Sequence, residues 1–250
     1  MKRRVIFAGN WKMYTTLQEA GDLIAGILKG WKKDGKEAVV FPPSVHLRAV
    51  AEFCKGSGVD TGAQNMYFAK DGAFTGEISP VMVKDAGARY ILIGHSERRH
   101  VFGETDELVN KKVRAAFEYG LEPMVCVGEL LEEREAGKSE EVVGTQTRRA
   151  LEGIDKGQMN RVVIAYEPVW AIGTGKVATP EIAEAMHVYI RKVLEEIYDR
   201  ETAGNVPILY GGSVKPDNIA GLYAIEDIDG VLVGGASLKA DSFLDILHVK

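Results

Sequence analysis

The chain has 250 residues, 46% of them hydrophobic, enough for a sizeable core, and 31 Lys and Arg against 36 Asp and Glu leave a net charge of -5. No block of like charge runs along it, which excludes nucleic acid or an anionic membrane as the main partner. No apolar stretch approaches a membrane span. Two isolated cysteines, Cys54 and Cys126, argue against a disulfide framework and for a reducing compartment.

The start, residues 1–10, is too short in its apolar part for a signal peptide, so a cytoplasmic protein is expected. Short apolar, β-branched runs then recur, and we read strands over residues 4–8, 37–41, 59–62, 90–93, 122–127, 161–166, 207–210 and 229–233. The segments between them carry helical periodicity. Leu17, Ala20, Ile24, Ile27 and Leu28 form one apolar face, with Thr16 and Glu19 as a capping box. Ile182, Met186, Ile190, Val193, Leu194 and Ile197 form another, with Thr179 as cap and Pro180 in the first turn.

Eight strands alternating with helices, with no linker between them, predict an α/β chain folded as a closed parallel (β/α)8 barrel. An open doubly wound sheet is the rival, and it differs only in strand order. In a barrel the chemistry belongs just after the C-terminal ends of the strands.

The first strand leads into Asn10-Trp11-Lys12. A lysine there can hold an anionic substrate as a point charge; alone, it reads equally as a surface residue. The fourth leads into Gly94-His95-Ser96-Glu97. A helix N-terminus pushes an imidazole toward its neutral form, which can donate to a carbonyl gaining charge. A structural histidine is the alternative.

The sixth strand leads into Glu167, pinned by Pro168 and followed by a loop of two glycines and several bulky apolar residues. That suits a general base under a water-excluding lid, or a plain strand-ending acid. Gly211-Gly212-Ser213 and Gly234-Gly235 follow the seventh and eighth strands, where barrels build phosphate sites.

Other motifs fail. Gly175-Lys176 is no P-loop, since Val177 follows and Trp170 replaces the earlier glycine. Gly173-Thr174-Gly175 lies a full loop from its strand, unlike a dinucleotide fingerprint. His95-Ser96-Glu97 has no Cys-x-x-Cys to complete a deaminase-type zinc site, and the five histidines do not cluster. Neither metal nor cofactor is implied.

Five blocks therefore stand in order on strand ends: residues 9–13, 94–99, 166–176, 210–214 and 234–235. Together they resemble the triosephosphate isomerase family over essentially the whole chain. The resemblance implies a TIM barrel with residues 1–250 as a single domain. It implies interconversion of dihydroxyacetone phosphate and D-glyceraldehyde 3-phosphate through an enediol, a step of glycolysis and gluconeogenesis, without a cofactor.

By the same resemblance Glu167 is the base, His95 the neutral electrophile, Lys12 the positive charge and Asn10 a placing residue, with Glu97 behind them. That acid–base pairing and the closing lid are long-known properties of the family, not deductions from these residues. Asn10, Lys12, Gly173, Ser213, Gly234 and Gly235 would bind the substrate and its phosphate. Pro168, Val169, Trp170, Ala171, Ile172, Gly173, Thr174, Gly175 and Lys176 would form the lid, with Tyr210 as a partner. The long loop 64–77 resembles the family's homodimer loop, with Thr75 near the partner's active site. Two rivals stay open at this point: Schiff-base aldol chemistry on Lys12, and a barrel that binds sugar phosphates without turnover.

Overall fold

A computed structural model describes residues 3–172 and 178–250. Eight parallel strands close on themselves in chain order. They are β1 (Ile6–Asn10), β2 (Glu37–Phe41), β3 (Val59–Ala63), β4 (Tyr90–Ile93), β5 (Glu122–Val127), β6 (Val163–Tyr166), β7 (Ile208–Tyr210) and β8 (Gly230–Val233). β8 returns to β1 with Val231 opposite Phe7, so no strand edge is left to solvent. The open-sheet alternative is excluded by this order.

Most strands are apolar on both faces because each face meets a different neighbour; β3, with Asp60 and Thr61, is more polar. Ile6, Ala8, Val39, Phe41, Tyr90, Leu92, Met124, Cys126, Val163, Ala165, Leu209 and Leu232 fill the barrel interior. The alternate residues, such as Phe7, Val40, Val125 and Ile164, pack outward against the helices in a second core. The lumen is thus a packed core, and open space remains only at the ends.

The N-terminal end of the barrel is tied by charge. Arg89 donates to Glu122 at 2.8 Å and to Asp60 at 2.7 Å, and Arg4 donates to Glu122 at 2.9 Å. Tyr90 donates to Glu37 at 2.7 Å. Asp229 accepts from Arg3, from Arg191 and from the Ile208 amide. This end reads as a stabilising face, leaving chemistry to the opposite one.

Beyond one-residue shifts in β3, β7 and β8, three details differ from the sequence reading. β1 starts two residues later and includes Asn10, which pairs with Phe41; Arg4 instead serves the ion network below. β6 begins at Val163 because residues up to Arg161 form a 3-10 turn. In the helix Leu17–Gly30, Leu23 is buried while Leu17 is exposed, so its apolar face turns away from Leu17. Among the described residues no helix is long and apolar enough to cross a membrane.

Candidate active site

At the C-terminal end of the barrel a cavity of about 420 Å³ is lined by Asn10, Lys12, His95, Glu167, Ile172, Gly211, Gly212, Ser213, Leu232, Gly234 and Gly235, among others. Residues from the ends of β1, β4, β6, β7 and β8 therefore meet in one space.

Glu167 is the first residue past β6 and is buried. Its amide donates to the Val127 carbonyl at 2.7 Å, so the chain passes close over β5. A methyl group at position 128 would lie 1.8 Å from the Glu167 carbonyl oxygen, which is why a glycine stands there. The carboxylate accepts from the Ser96 amide at 2.9 Å and lies 3.0 Å from His95 Nε2.

His95 caps the short helix Ser96–His100. Its Nδ1 accepts the Glu97 amide hydrogen at 3.2 Å. That nitrogen must carry a lone pair, so the hydrogen-bond network assigns the ring proton to Nε2, facing Glu167. Burial lowers the His95 pKa and Glu167 raises it, the rise prevailing. With Nδ1 occupied by an amide, we read the ring as neutral here. The upward push lasts only while the carboxylate faces the ring.

Burial would raise the Glu167 pKa, but His95, the Ser96 amide and Lys12 together hold it below the usual carboxylate range. Ile172 and Leu232 line the same cavity, and their drying of the site acts to raise its basicity. In this arrangement the two hydrogen bonds outweigh the drying. Basicity rises only when Glu167 leaves them.

Lys12 sits in the left-handed region, with φ of 51°, sparsely populated for a residue with a side chain. Two contacts hold it: its amide donates to Asn10 Oδ1 at 3.0 Å, and Gln64 donates to its carbonyl at 2.8 Å. The ammonium is thereby aimed at the cavity wall, 2.7 Å from Glu97 Oε1. Strain of this kind concentrates at functional sites. Gly235 opens a 3-10 helix, Gly235–Leu238, whose first amides border the cavity beside Ser213. This is a cradle for an anion.

A family model described as Triosephosphate isomerase matches residues 5–250. The chain belongs to the triosephosphate isomerase family. It is similar to the triosephosphate isomerase of Roseiflexus castenholzii, 54% identical over 247 residues, 98% of this chain and 97% of that one. The triosephosphate isomerase of Chloroflexus aurantiacus is 55% identical over 244 residues, 97% of this chain and 98% of its own. That of Caldanaerobacter subterraneus subsp. tengcongensis is 54% identical over 246 residues, with 98% and 99% covered.

Within this triosephosphate isomerase fold the remaining sequence-derived positions divide. Of the lid residues, Pro168 through Ile172 are described: Val169–Ala171 form a 3-10 turn and Ile172 lines the cavity. Gly173, Thr174, Gly175 and Lys176 lie outside the described residues. Tyr210 ends β7 behind the cavity; burial pushes its hydroxyl up to about 12, and the Ala178 amide acts the other way. Thr75 is exposed on loop 64–79 and meets no part of this cavity within one chain.

Sequence reasoning missed Glu129, two residues past β5 and fully buried. It accepts from Trp170 Nε1 at 2.8 Å and from the Tyr166 hydroxyl at 3.2 Å, and its carbonyl takes the Val169 amide. It anchors the start of the segment after Glu167. The strand-end rule would have found it, had it been applied to β5. Cys126 lies inside the barrel against Glu167, and burial holds its thiol well above the ordinary value. Among the described residues no three His, Cys, Asp or Glu side chains are grouped to hold a metal ion.

Proposed function

We propose that this chain interconverts dihydroxyacetone phosphate and D-glyceraldehyde 3-phosphate by proton transfer through an enediolate, the isomerase step of glycolysis and gluconeogenesis. The carrying observation is the buried Glu167 carboxylate 3.0 Å from His95 Nε2, in one cavity with Lys12 and two glycine loops. A cavity of about 420 Å³ suits a small phosphorylated substrate.

Glu167 takes the proton from the carbon beside the substrate carbonyl and returns it to the neighbouring carbon. To do so it gives up the Ser96 amide and His95, which frees one lone pair. The same movement frees the Nε2–H of His95 to donate to the substrate oxygen as charge develops there. Lys12 supplies positive charge near the substrate, and Glu97, on its far side, keeps the ammonium in place. Asn10 orients Lys12 through its amide. Ser213 with the Gly234 and Gly235 amides holds the phosphate. Pro168 to Lys176 close over the site, so the enediolate is kept from water and from phosphate loss.

Lys12 does not suit a Schiff base, because its Nζ is engaged by Glu97 Oε1 at 2.7 Å rather than standing alone in an apolar pocket. Isomerisation in deuterium oxide tests the proton route. Product carrying deuterium at the exchanged carbon in wild type but not in Glu167→Gln supports it; equal deuterium incorporation by the two counts against it.

We read residues 1–250 as one domain, acting in the cytoplasm as a homodimer. Support for the dimer is an exposed apolar face: Met13 is 94% accessible, Val101 71% and Phe102 65%. Such a face on a folded chain marks an interaction site. A pocket of about 170 Å³ lies on it, lined by Met13, Gln64, Asn65, Glu97, Arg98 and Phe102 and reaching Asn10, Lys12 and His95 of the catalytic group. It is the receptor we assign to the Thr75 loop of a second copy.

A further inference from the structure

His187 lies on the helix Pro180–Ile197 and is completely buried, yet none of the steps above uses it. Its Nδ1 is 3.0 Å from the Asp227 carbonyl, an acceptor only, so Nδ1 carries the proton. Its Nε2 is buried with no hydrogen-bond partner among the described residues. A core position on this helix face would ordinarily take an aliphatic side chain. An imidazole with one nitrogen unsatisfied is a cost that its surroundings must explain.

The surroundings are two tyrosines. The His187 ring meets Tyr166 edge-on, with centroids 5.9 Å apart and planes at 85°. It meets Tyr210 at 6.5 Å and 33°. Tyr166 immediately precedes Glu167, and Tyr210 immediately precedes the Gly211-Gly212-Ser213 loop. These two strand ends are themselves joined, since the Gly211 amide donates to the Tyr166 carbonyl at 2.7 Å. They are also close: a methyl at position 211 would lie 2.9 Å from Glu167 Cγ. One imidazole, fixed to the loop before β8 through Asp227, therefore props the ends of β6 and β7 from behind. One end bears the base and the other bears part of the phosphate cradle.

We propose that His187 is a positioning residue that sets the spacing between Glu167 and the phosphate loop at 211–213. This rests on the isomerase reading above. A phosphorylated triose spans both subsites at once and needs that spacing. A two-carbon substrate without phosphate uses only the base end and does not.

The test compares kcat/KM for glyceraldehyde 3-phosphate with that for glycolaldehyde, which undergoes the same proton abstraction, in wild type, His187→Gln and His187→Phe. His187→Gln keeps a donor for Asp227 and loses the ring. His187→Phe keeps most of the buried volume and loses the tether, so it carries the test should His187→Gln fold poorly. Each folded variant should lose on the order of tenfold or more on the phosphorylated substrate, since small misplacements are costly. Glycolaldehyde turnover should stay within about twofold, because the base itself is intact. Equal loss on both substrates, or no loss on either, overturns the proposal while leaving the isomerase reading in place. A folded wild type that turns over neither substrate overturns both.

Discussion

Glu167 Oε1 and His95 Nε2 stand 3.0 Å apart, while the Ser96 amide holds the carboxylate at 2.9 Å. The base is thus parked on the electrophile it must work beside. One movement away from this position makes the carboxylate more basic and releases the imidazole proton for the substrate.

Glu167→Asp shortens the side chain by one methylene. It should fold as the wild type does and lose on the order of 10²-fold in kcat, since a displacement of about 1 Å at the reacting atoms costs that much. Steady-state kinetics beside thermal unfolding checks it. A rate near wild type would remove Glu167 from the role of base.

Gly128→Ala should harm catalysis through the backbone alone. Its methyl would lie 1.8 Å from the Glu167 carbonyl oxygen, and backbone cannot yield as a flexible side chain can. The expected result is a loss on the order of 10²-fold in kcat/KM with the barrel still folded, as far-UV circular dichroism would report. Unchanged kinetics would mean that the β5 and β6 ends part without moving the carboxylate.

His187 gives a pH signature. Burial depresses its pKa to about 4 in the folded chain, against about 6.5 unfolded. Between those values the unfolded chain binds a proton that the folded one refuses, so this group lowers stability as pH falls through that window and has no effect above it. The full effect, reached near pH 4, is on the order of 3 kcal/mol. Denaturant unfolding of wild type and His187→Phe from pH 7 to pH 4 should show the variant losing less stability. Parallel curves would contradict the burial argument.

Met13→Asp places a charge in the exposed apolar face beside the pocket behind Lys12. Burying an unpaired carboxylate in an interface is costly. Sedimentation should show wild type at twice the chain mass and the variant shifted toward one chain, with activity reduced in step. A wild type that sediments as one chain would refute the dimer.

The sequence made the barrel and its chemistry legible for one reason. Strands buried on both faces leave continuous apolar runs, and the residue types just past them carry the site. Asn10, Lys12, His95, Glu167 and the two glycine loops converge because the closed strand order brings their ends together. What stayed hidden depends on contacts between distant segments. Gly128 looks like any turn glycine until Glu167 crosses it, and Glu129 looks like a surface acid until Trp170 and Tyr166 reach it. His187 stands in the apolar stripe between Met186 and Ile190 without fitting it. The low pKa direction of Glu167 was equally hidden, since no local pattern announces the Ser96 amide.

The most direct test of the central claim is the initial rate of glyceraldehyde 3-phosphate isomerisation, with EDTA present, for wild type beside Glu167→Gln. A fast, EDTA-insensitive wild-type rate that falls on the order of 10³-fold or more in the variant is the predicted result. A folded wild type with no rate, or a Glu167→Gln variant as fast as wild type, would contradict it.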